Sequence, residues 1–225
     1  LTHDLGKAIA LGQFELFYQP KFDRNYKICG TEALIRWYHP KLGMVSPLKF
    51  IDVAEKTGLI VPLGYWVIEQ ACKQVQEWKE QGIALYPVSI NLSARQFEHQ
   101  DLGKTLRYLL NKHNIEPENL IVEVTESTIL RQVGLSIKSF DELREMGIQI
   151  AIDDFGTGYS SFSYLKDFPF DELKIDKEFI THLTEKSKEE AILESIIQLA
   201  IKLGLRVTAE GVETHEQAEI LLRLG

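Results

Sequence analysis

Short runs rich in β-branched and aromatic residues alternate with longer helical stretches along this chain, and that alternation restricts its fold more than any other feature. The segments "FELFYQ" (Phe14–Gln19) and "GTEALIRW" (Gly30–Trp37) read as strands. Pro47–Lys56 and Pro62–Glu80 read as helices, each opened by a proline whose fixed φ and missing N–H suit a first turn. "VSINL" (Val88–Leu92) is a strand, after which Ser93 can cap a helix. "LIVEV" (Leu120–Val124) is followed by a helix near Gly134–Met146 that stops at Gly147. "IQIAI" (Ile148–Ile152) precedes a short helix near Ser160–Lys166, and "ELKI" (Glu172–Ile175) precedes one near Glu189–Lys202. "LRVTA" (Leu205–Ala209) leads into a last helix at Thr214–Arg223.

Strands separated by full helices imply βα units and a parallel sheet. Seven strands are countable, which makes a (β/α)8 barrel the natural α/β architecture, its eighth strand lying beyond Gly225 or absent. An open doubly wound sheet is the alternative, but no GxGxxG follows the first strand. No low-complexity linker interrupts the alternation, so residues 1–225 read as one domain, and the missing initial methionine suggests a piece of a longer protein.

The chain is 44% hydrophobic and 26% charged, enough apolar content for a substantial core. A formal charge of −8 argues against DNA or RNA polymers held on a basic face, yet leaves room for a small anion if bound cations reverse the local field. Cys29 and Cys72 sit in apolar contexts and read as buried free thiols, consistent with a reducing cytoplasm. No apolar run approaches the roughly 20 residues of a membrane span.

The chemistry is in what ends each strand. Glu32 lies within "TEALIRW", Asn91 ends "VSIN", and Glu123 and Glu126 bracket "EVTE". Asp153 and Asp154 end "IAIDD", Lys174 and Asp176 end "LKID", and Glu210 and Glu213 bracket "EGVE". Taken singly, each reads as a solvated loop residue or a helix cap. Taken together, they place oxygen ligands at successive strand ends, which converge on one face of a parallel barrel.

Grouped carboxylates repel one another and are costly to desolvate, and a hard divalent cation is the usual remedy. Carboxylates with a carboxamide suit Mg²⁺ or Mn²⁺, and the surplus of carboxylates suggests two ions with a shared ligand. Paired ions of this kind serve phosphodiester hydrolysis by an activated water. Histidine-based zinc is not expected, because the six histidines show neither HxH nor HExxH spacing.

The stretch "IAIDDFGTGYSSF" (Ile150–Phe162) needs separate attention, since adjacent side chains on a regular strand face opposite ways. Asp153 is expected as the last strand residue, with Asp154 joining it only because the strand ends. "DFG" occurs in the metal loop of protein kinases, but no Gly-rich loop, VAIK-like strand or HRD loop precedes it here. "GTGYSS" lacks the GxxxxGK[ST] pattern of a P-loop.

At these residues the chain resembles the EAL-domain family, the bacterial cyclic di-GMP phosphodiesterases. The resemblance runs from "YQP" (Tyr18–Pro20) through "EALIRW" (Glu32–Trp37), "PLKFIDVAEKTGLI" (Pro47–Ile60) and "NLS" (Asn91–Ser93). It continues with "EVTES" (Glu123–Ser127), "DDFGTGYSSFSYL" (Asp153–Leu165), "LKID" (Leu173–Asp176) and "AEGVE" (Ala209–Glu213). It implies a (β/α)8 barrel whose first strand is antiparallel to the rest. It further implies that Glu32, Asn91, Glu123 and Asp153 hold a first Mg²⁺ or Mn²⁺, and that Asp153, Asp154 and Glu210 hold a second.

By the same resemblance Lys174 orients the attacking water or stabilises phosphoryl charge, and Glu210 is also a candidate general base. Gln19, Leu34 and Arg36 become substrate contacts, Glu126 the anchor of a mobile loop over Phe155–Ser161, and Asp176 and Glu213 supporting acids. The implied product is linear pGpG. The implied partners are cyclic di-GMP, a second copy of the chain, and fused sensory or GGDEF domains. Family members continue with a further strand bearing a "QGY"-like motif, so this chain is expected to be a C-terminally incomplete copy with its eighth strand missing. A receptor that binds cyclic di-GMP without hydrolysing it is the alternative function, and a metal-dependent barrel enzyme of other chemistry, such as enolisation, is a third.

Overall fold

The computed structural model describes residues 2–99, 101–131, 136–156, 165 and 168–225. After helix α1 (Thr2–Ala8), strands β1 (Phe14–Phe22) and β2 (Ile28–His39) form a long hairpin, and the short β3 (Gly43–Val45) returns along β2. Helices α2 (Pro47–Thr57) and α3 (Ile60–Glu80) lead to β4 (Val88–Asn91). Then come α4 (Ala94–Glu98), α5 (Leu102–His113), β5 (Leu120–Thr125), α6 (Glu126–Arg131), α7 (Ser136–Glu145) and β6 (Gln149–Phe155). The chain continues through β7 (Glu172–Ile175), α8 (Lys177–Thr181), α9 (Lys188–Lys202), β8 (Arg206–Ala209) and α10 (His215–Leu224).

One sheet runs in the order β1-β2-β4-β5-β6-β7-β8, with β3 added on β2. β1 is antiparallel to β2, and every later pairing along the path is parallel. Strands follow chain order with no reversal, so the topological switch point of a doubly wound sheet does not arise. The sheet curls into a TIM-like barrel wall of seven staves. Among the described residues no pairing joins β8 back to β1.

The pleat sorts the side chains. On β4 to β7 one phase carries Val88, Ile90, Leu120, Val122, Val124, Ile150, Ile152, Leu173 and Ile175, all buried against the helices. This layer is the main apolar core, and it explains why these strands read as β-branched runs. The other phase points inward and is mostly polar: Ser89, Glu123, Asp153, Glu172 and Lys174 are all buried. Barrel interiors are ordinarily filled by branched aliphatic residues. A second, smaller core gathers Leu5, Ala8, Phe14, Trp37, Val45, Phe50, Ala54, Ile60 and Leu63. It lies where β2 continues beyond its pairing with β4, which spans only Thr31 to Ala33.

Three expectations from sequence need correction. The helix after Ser93 is two helices, α4 and α5. Cys29 is exposed, at the start of β2 beside the hairpin turn, and only Cys72 is buried. The strand at the two aspartates also does not end at Asp153, for β6 runs on to Phe155. Ile152 pairs with Leu173 and Phe155 with Ile175, so Asp153 and Asp154 together oppose Lys174 alone. That is a β-bulge. Asp154 supplies the left-handed backbone it needs, at φ 54°, a region Asp tolerates better than most residues. The bulge absorbs one residue, so Phe155 returns to the helix-facing phase and is fully buried. Apart from Leu165, the helix expected near Ser160–Lys166 lies outside the described residues, as does most of the expected loop Phe155–Ser161.

Candidate active site

Lys174 is the centre of the barrel mouth, the end formed by the carboxyl termini of the parallel strands. Its Nζ lies 2.5 Å from Glu123 Oε2, 2.7 Å from Glu210 Oε1, 3.2 Å from Asp153 Oδ1 and 3.3 Å from Glu32 Oε2. These four acids come from β5, the residue after β8, the β6 bulge and β2. Residues far apart in sequence therefore meet because inward pleat positions coincide in height. Asn91, at the end of β4, donates from Nδ2 to Glu32 Oε1 at 2.9 Å. The Asp153 carboxylate also accepts from the Asp154 amide at 3.0 Å, across the bulge.

The electrostatics follow from burial. At Lys174 burial disfavours the ammonium, but the surrounding carboxylates overwhelm it and hold the group charged far above the ordinary lysine range. Burial pushes the Asp153 carboxyl up to about 6, with Lys174 opposing and Glu123 and Glu210 adding to it. Burial, and then the neighbouring Asp153 and Asp176 charges, push Asp154 up to about 6 as well. Glu32 and Glu210 are likewise raised, chiefly by burial. Glu123 goes the other way: burial would raise it, but Lys174 and Lys21 together hold it below the usual range. Lys174 is shared by four carboxylates, and Lys21 reaches Glu123 alone of those four, so the mouth carries more negative charge than its ammoniums balance.

Glu32, Asn91, Glu123, Asp153, Asp154 and Glu210 offer hard oxygen donors without a cysteine or histidine among them, the donor chemistry that Mg²⁺ and Mn²⁺ prefer. Among the described residues no three acidic, histidine or cysteine side chains form a closed chelate, because the Lys174 ammonium stands between the carboxylates. The raised carboxyls and the oxygen-only donor set fit divalent cations.

The remaining candidates divide. Glu126, the first residue of α6, is buried beside the bulge and accepts from the Gly156 amide at 3.0 Å, which ties the start of the following segment to the β5–α6 junction. Asp176 accepts from the Glu178 amide at 2.7 Å as the N-cap of α8, and it faces Asp154. Glu213 is exposed between β8 and α10, and among the described residues no hydrogen bond or ion pair joins its side chain to the cluster. Gln19 is exposed directly across from Glu32, and Leu34 and Arg36 follow Glu32 on the same face of β2. Arg36 lies over the Phe17 ring, 5.6 Å from its centroid, and Phe17 faces Leu34 across the hairpin. The sequence reading missed Phe17, an exposed aromatic on the inward phase of β1.

It also missed Lys21, Ser89 and Glu172, which lie beneath the mouth. Lys21 Nζ reaches Ser89 Oγ at 2.8 Å, Glu123 Oε1 at 2.8 Å and Glu172 Oε1 at 3.3 Å. Counting by twos from Gln19 puts Lys21 on the inward face, a signal hidden by ending the strand before Pro20.

A family model described as EAL domain matches residues 2–225. The bifunctional diguanylate cyclase/cyclic di-GMP phosphodiesterase MucR of Pseudomonas aeruginosa is 48% identical over 226 residues, covering 100% of this chain and 33% of that protein. The cyclic di-GMP phosphodiesterase PdeR of Escherichia coli is 38% identical over 225 residues, covering 100% of this chain and 34% of PdeR. A solved structure described as the PaMucR phosphodiesterase in complex with c-di-GMP superposes with a TM-score of 0.93 at 47% identity, covering 99% of this chain and 91% of that one. The chain spans about a third of the length of both curated relatives.

Proposed function

The chain belongs to the EAL-domain family, and from that premise we propose that it hydrolyses cyclic di-GMP to linear pGpG. The observation that carries the proposal is the convergence on Lys174, at the barrel mouth, of four carboxylates, three from strands and one just after β8. Glu32, Asn91, Glu123 and Asp153 would hold one divalent cation, Mg²⁺ or Mn²⁺, and Asp153, Asp154 and Glu210 a second. Bound there, such ions lower the pKa of a water and polarise a phosphoryl oxygen.

The chain's own groups do the rest. Lys174 donates hydrogen bonds toward the developing phosphoryl charge or the attacking water, and its burial keeps that ammonium undiluted by solvent. Glu210, the most exposed of the four acids around Lys174, is placed to accept the proton of the water. The water oxygen would bond to phosphorus as one phosphorus–ribose oxygen bond breaks, the departing ribose oxygen takes up the proton lost by the water, and the ring opens with water the sole reactant consumed. Gln19, Leu34 and Arg36 line the approach as substrate contacts, and the Phe17 ring offers a stacking face for a guanine. Glu126 fixes the exit of β6 through Gly156, where the proposed loop begins.

In a longer protein this domain would be the hydrolytic module, joined to sensory or GGDEF domains and paired with a second copy, acting on a cytoplasmic nucleotide. Among the described residues no helix is long and apolar enough to cross a membrane. The test is turnover of cyclic di-GMP with Mg²⁺ or Mn²⁺, followed as pGpG by chromatography. Product above a Glu32→Ala control is expected. Tight binding without product would make the domain a receptor instead.

A further inference from the structure

Glu123 is fully buried and is gripped from both sides, one ammonium to each oxygen. Lys174 takes Oε2, at the mouth. Lys21 takes Oε1, from beneath. The Lys21 ammonium has three N–H donors and three acceptors around it, Ser89 Oγ, Glu123 Oε1 and Glu172 Oε1, so its position is fully determined. Its lower anchor is held in turn. Glu172 Oε1 also accepts from Thr208 Oγ1 at 2.7 Å, and Glu172 Oε2 accepts from Arg206 at 3.4 Å. Arg206 is tied to Gln149 Oε1 at 2.7 Å. Lys21 therefore rests on a braced floor, and Glu123 has no solvent to rotate into.

We propose that Lys21 is a positioning residue that leaves Glu123 only one oxygen for a metal ion, and thereby makes the site discriminate against Ca²⁺. The proposal rests on the reading of Glu123 as a metal ligand. At the mouth a cation can take Oε2 by displacing the Lys174 ammonium, whereas Oε1 stays committed to Lys21, which the braced floor holds beneath it. Mg²⁺ needs six ligands in a tight octahedron and accepts such one-oxygen donors, whereas Ca²⁺ takes six to eight oxygens and gains from bidentate carboxylates. Lys21 removes that option at the most buried acid of the cluster. A merely structural role for Lys21 would change stability without changing the preference between the two ions.

Two measurements test this. The first is a crystal structure of the unmutated chain grown with Mg²⁺ alone. Glu123 is expected to bind the ion through Oε2 while Oε1 keeps its contact with Lys21. Coordination through both oxygens, or displacement of Lys21, overturns the proposal. The second is calorimetric titration of Mg²⁺ and Ca²⁺ into the wild type, Lys21→Met and Glu123→Gln. In Lys21→Met the affinity for Ca²⁺ relative to Mg²⁺ should rise about tenfold, as the freed oxygen adds a ligand that only the larger ion uses. An unchanged ratio in Lys21→Met, with Glu123→Gln weakened, overturns this proposal alone. If Glu123→Gln binds both ions as tightly as wild type, the assignment of Glu123 as a ligand fails, and the role of Lys21 fails with it. Should Lys21→Met not fold, the wild-type crystal structure still decides.

Discussion

Replacing Lys174 by methionine isolates what its ammonium does, because methionine nearly matches its length without its charge. In the metal-free protein Nζ faces four carboxylates at 2.5 to 3.3 Å. At an effective dielectric of about 20 each such contact is worth roughly 5–7 kcal/mol of Coulomb attraction. The variant cannot lose that sum, since the carboxylates can escape mutual repulsion by taking up protons. That escape sets the scale. Asp153 already sits at about 6 with Lys174 present, so keeping it protonated at pH 8 costs about 3 kcal/mol, from two units at about 1.4 kcal/mol each. Breaking a buried ion pair by removing one partner ordinarily costs about 3–5 kcal/mol, which agrees.

The sign follows from linkage. A carboxyl raised in the folded state above its unfolded value favours folding at low pH and loses that contribution as pH rises through the folded pKa. The deficit of Lys174→Met should therefore be about 3–5 kcal/mol at pH 8 and shrink by roughly 2–3 kcal/mol at pH 6, where protonation is nearly free. Urea unfolding in chelator, followed by the fluorescence of buried Trp37 and partly buried Trp66 and Trp78, measures both values. Adding Mn²⁺ at pH 8 should restore part of the loss. An equal deficit at the two pH values would refute the view that Lys174 is the counter-charge of this cluster.

Asp154→Gly and Asp154→Val both delete the carboxylate, but only valine resists φ 54°, so the valine variant should be less stable by about 1–2 kcal/mol in urea melts. Gly64→Ala would drive a methyl into Gln96 Nε2 and displace the side chain that completes the Ser93 capping box. It should destabilise the fold by about 1–2 kcal/mol despite alanine's better helix propensity, as thermal unfolding would show. Phe17→Ala should raise KM for cyclic di-GMP roughly 5- to 150-fold with kcat little changed, the loss of one base–aromatic stack worth about 1–3 kcal/mol. A fall in kcat at unchanged KM would remove Phe17 from the substrate face.

The alternation of elements was legible because burial against helices demands apolar residues at alternate positions of every stave, from Val88 to Ile175. The acids at the mouth were legible because each follows such a run. What escaped was set by backbone geometry or by a neighbour in space. The bulge at Asp153–Asp154 has no glycine to announce it, since Asp154 itself adopts the left-handed conformation. β3 has three residues, too few for any period to register. Lys21 follows Pro20, which reads as a strand breaker; on β1, an edge strand among the described pairings, proline is tolerated and the strand runs on to Phe22. Glu172 looked like an ordinary strand-start residue, and only the stacking of pleat positions across β1, β7 and β8 puts it under Lys21.

The reversed direction of β1 also decides at which end the chain enters this domain. In a barrel of purely parallel strands the chain arrives at the floor. Here the antiparallel hairpin brings it in at the mouth, and α1 is packed with Phe14, Trp37 and Phe50 in the small core behind the Leu34–Arg36 wall. A module fused ahead of Thr2 would attach on the mouth side of the barrel, next to the Leu34–Arg36 wall. Through that core α1 shares its packing with Trp37, one residue from Arg36.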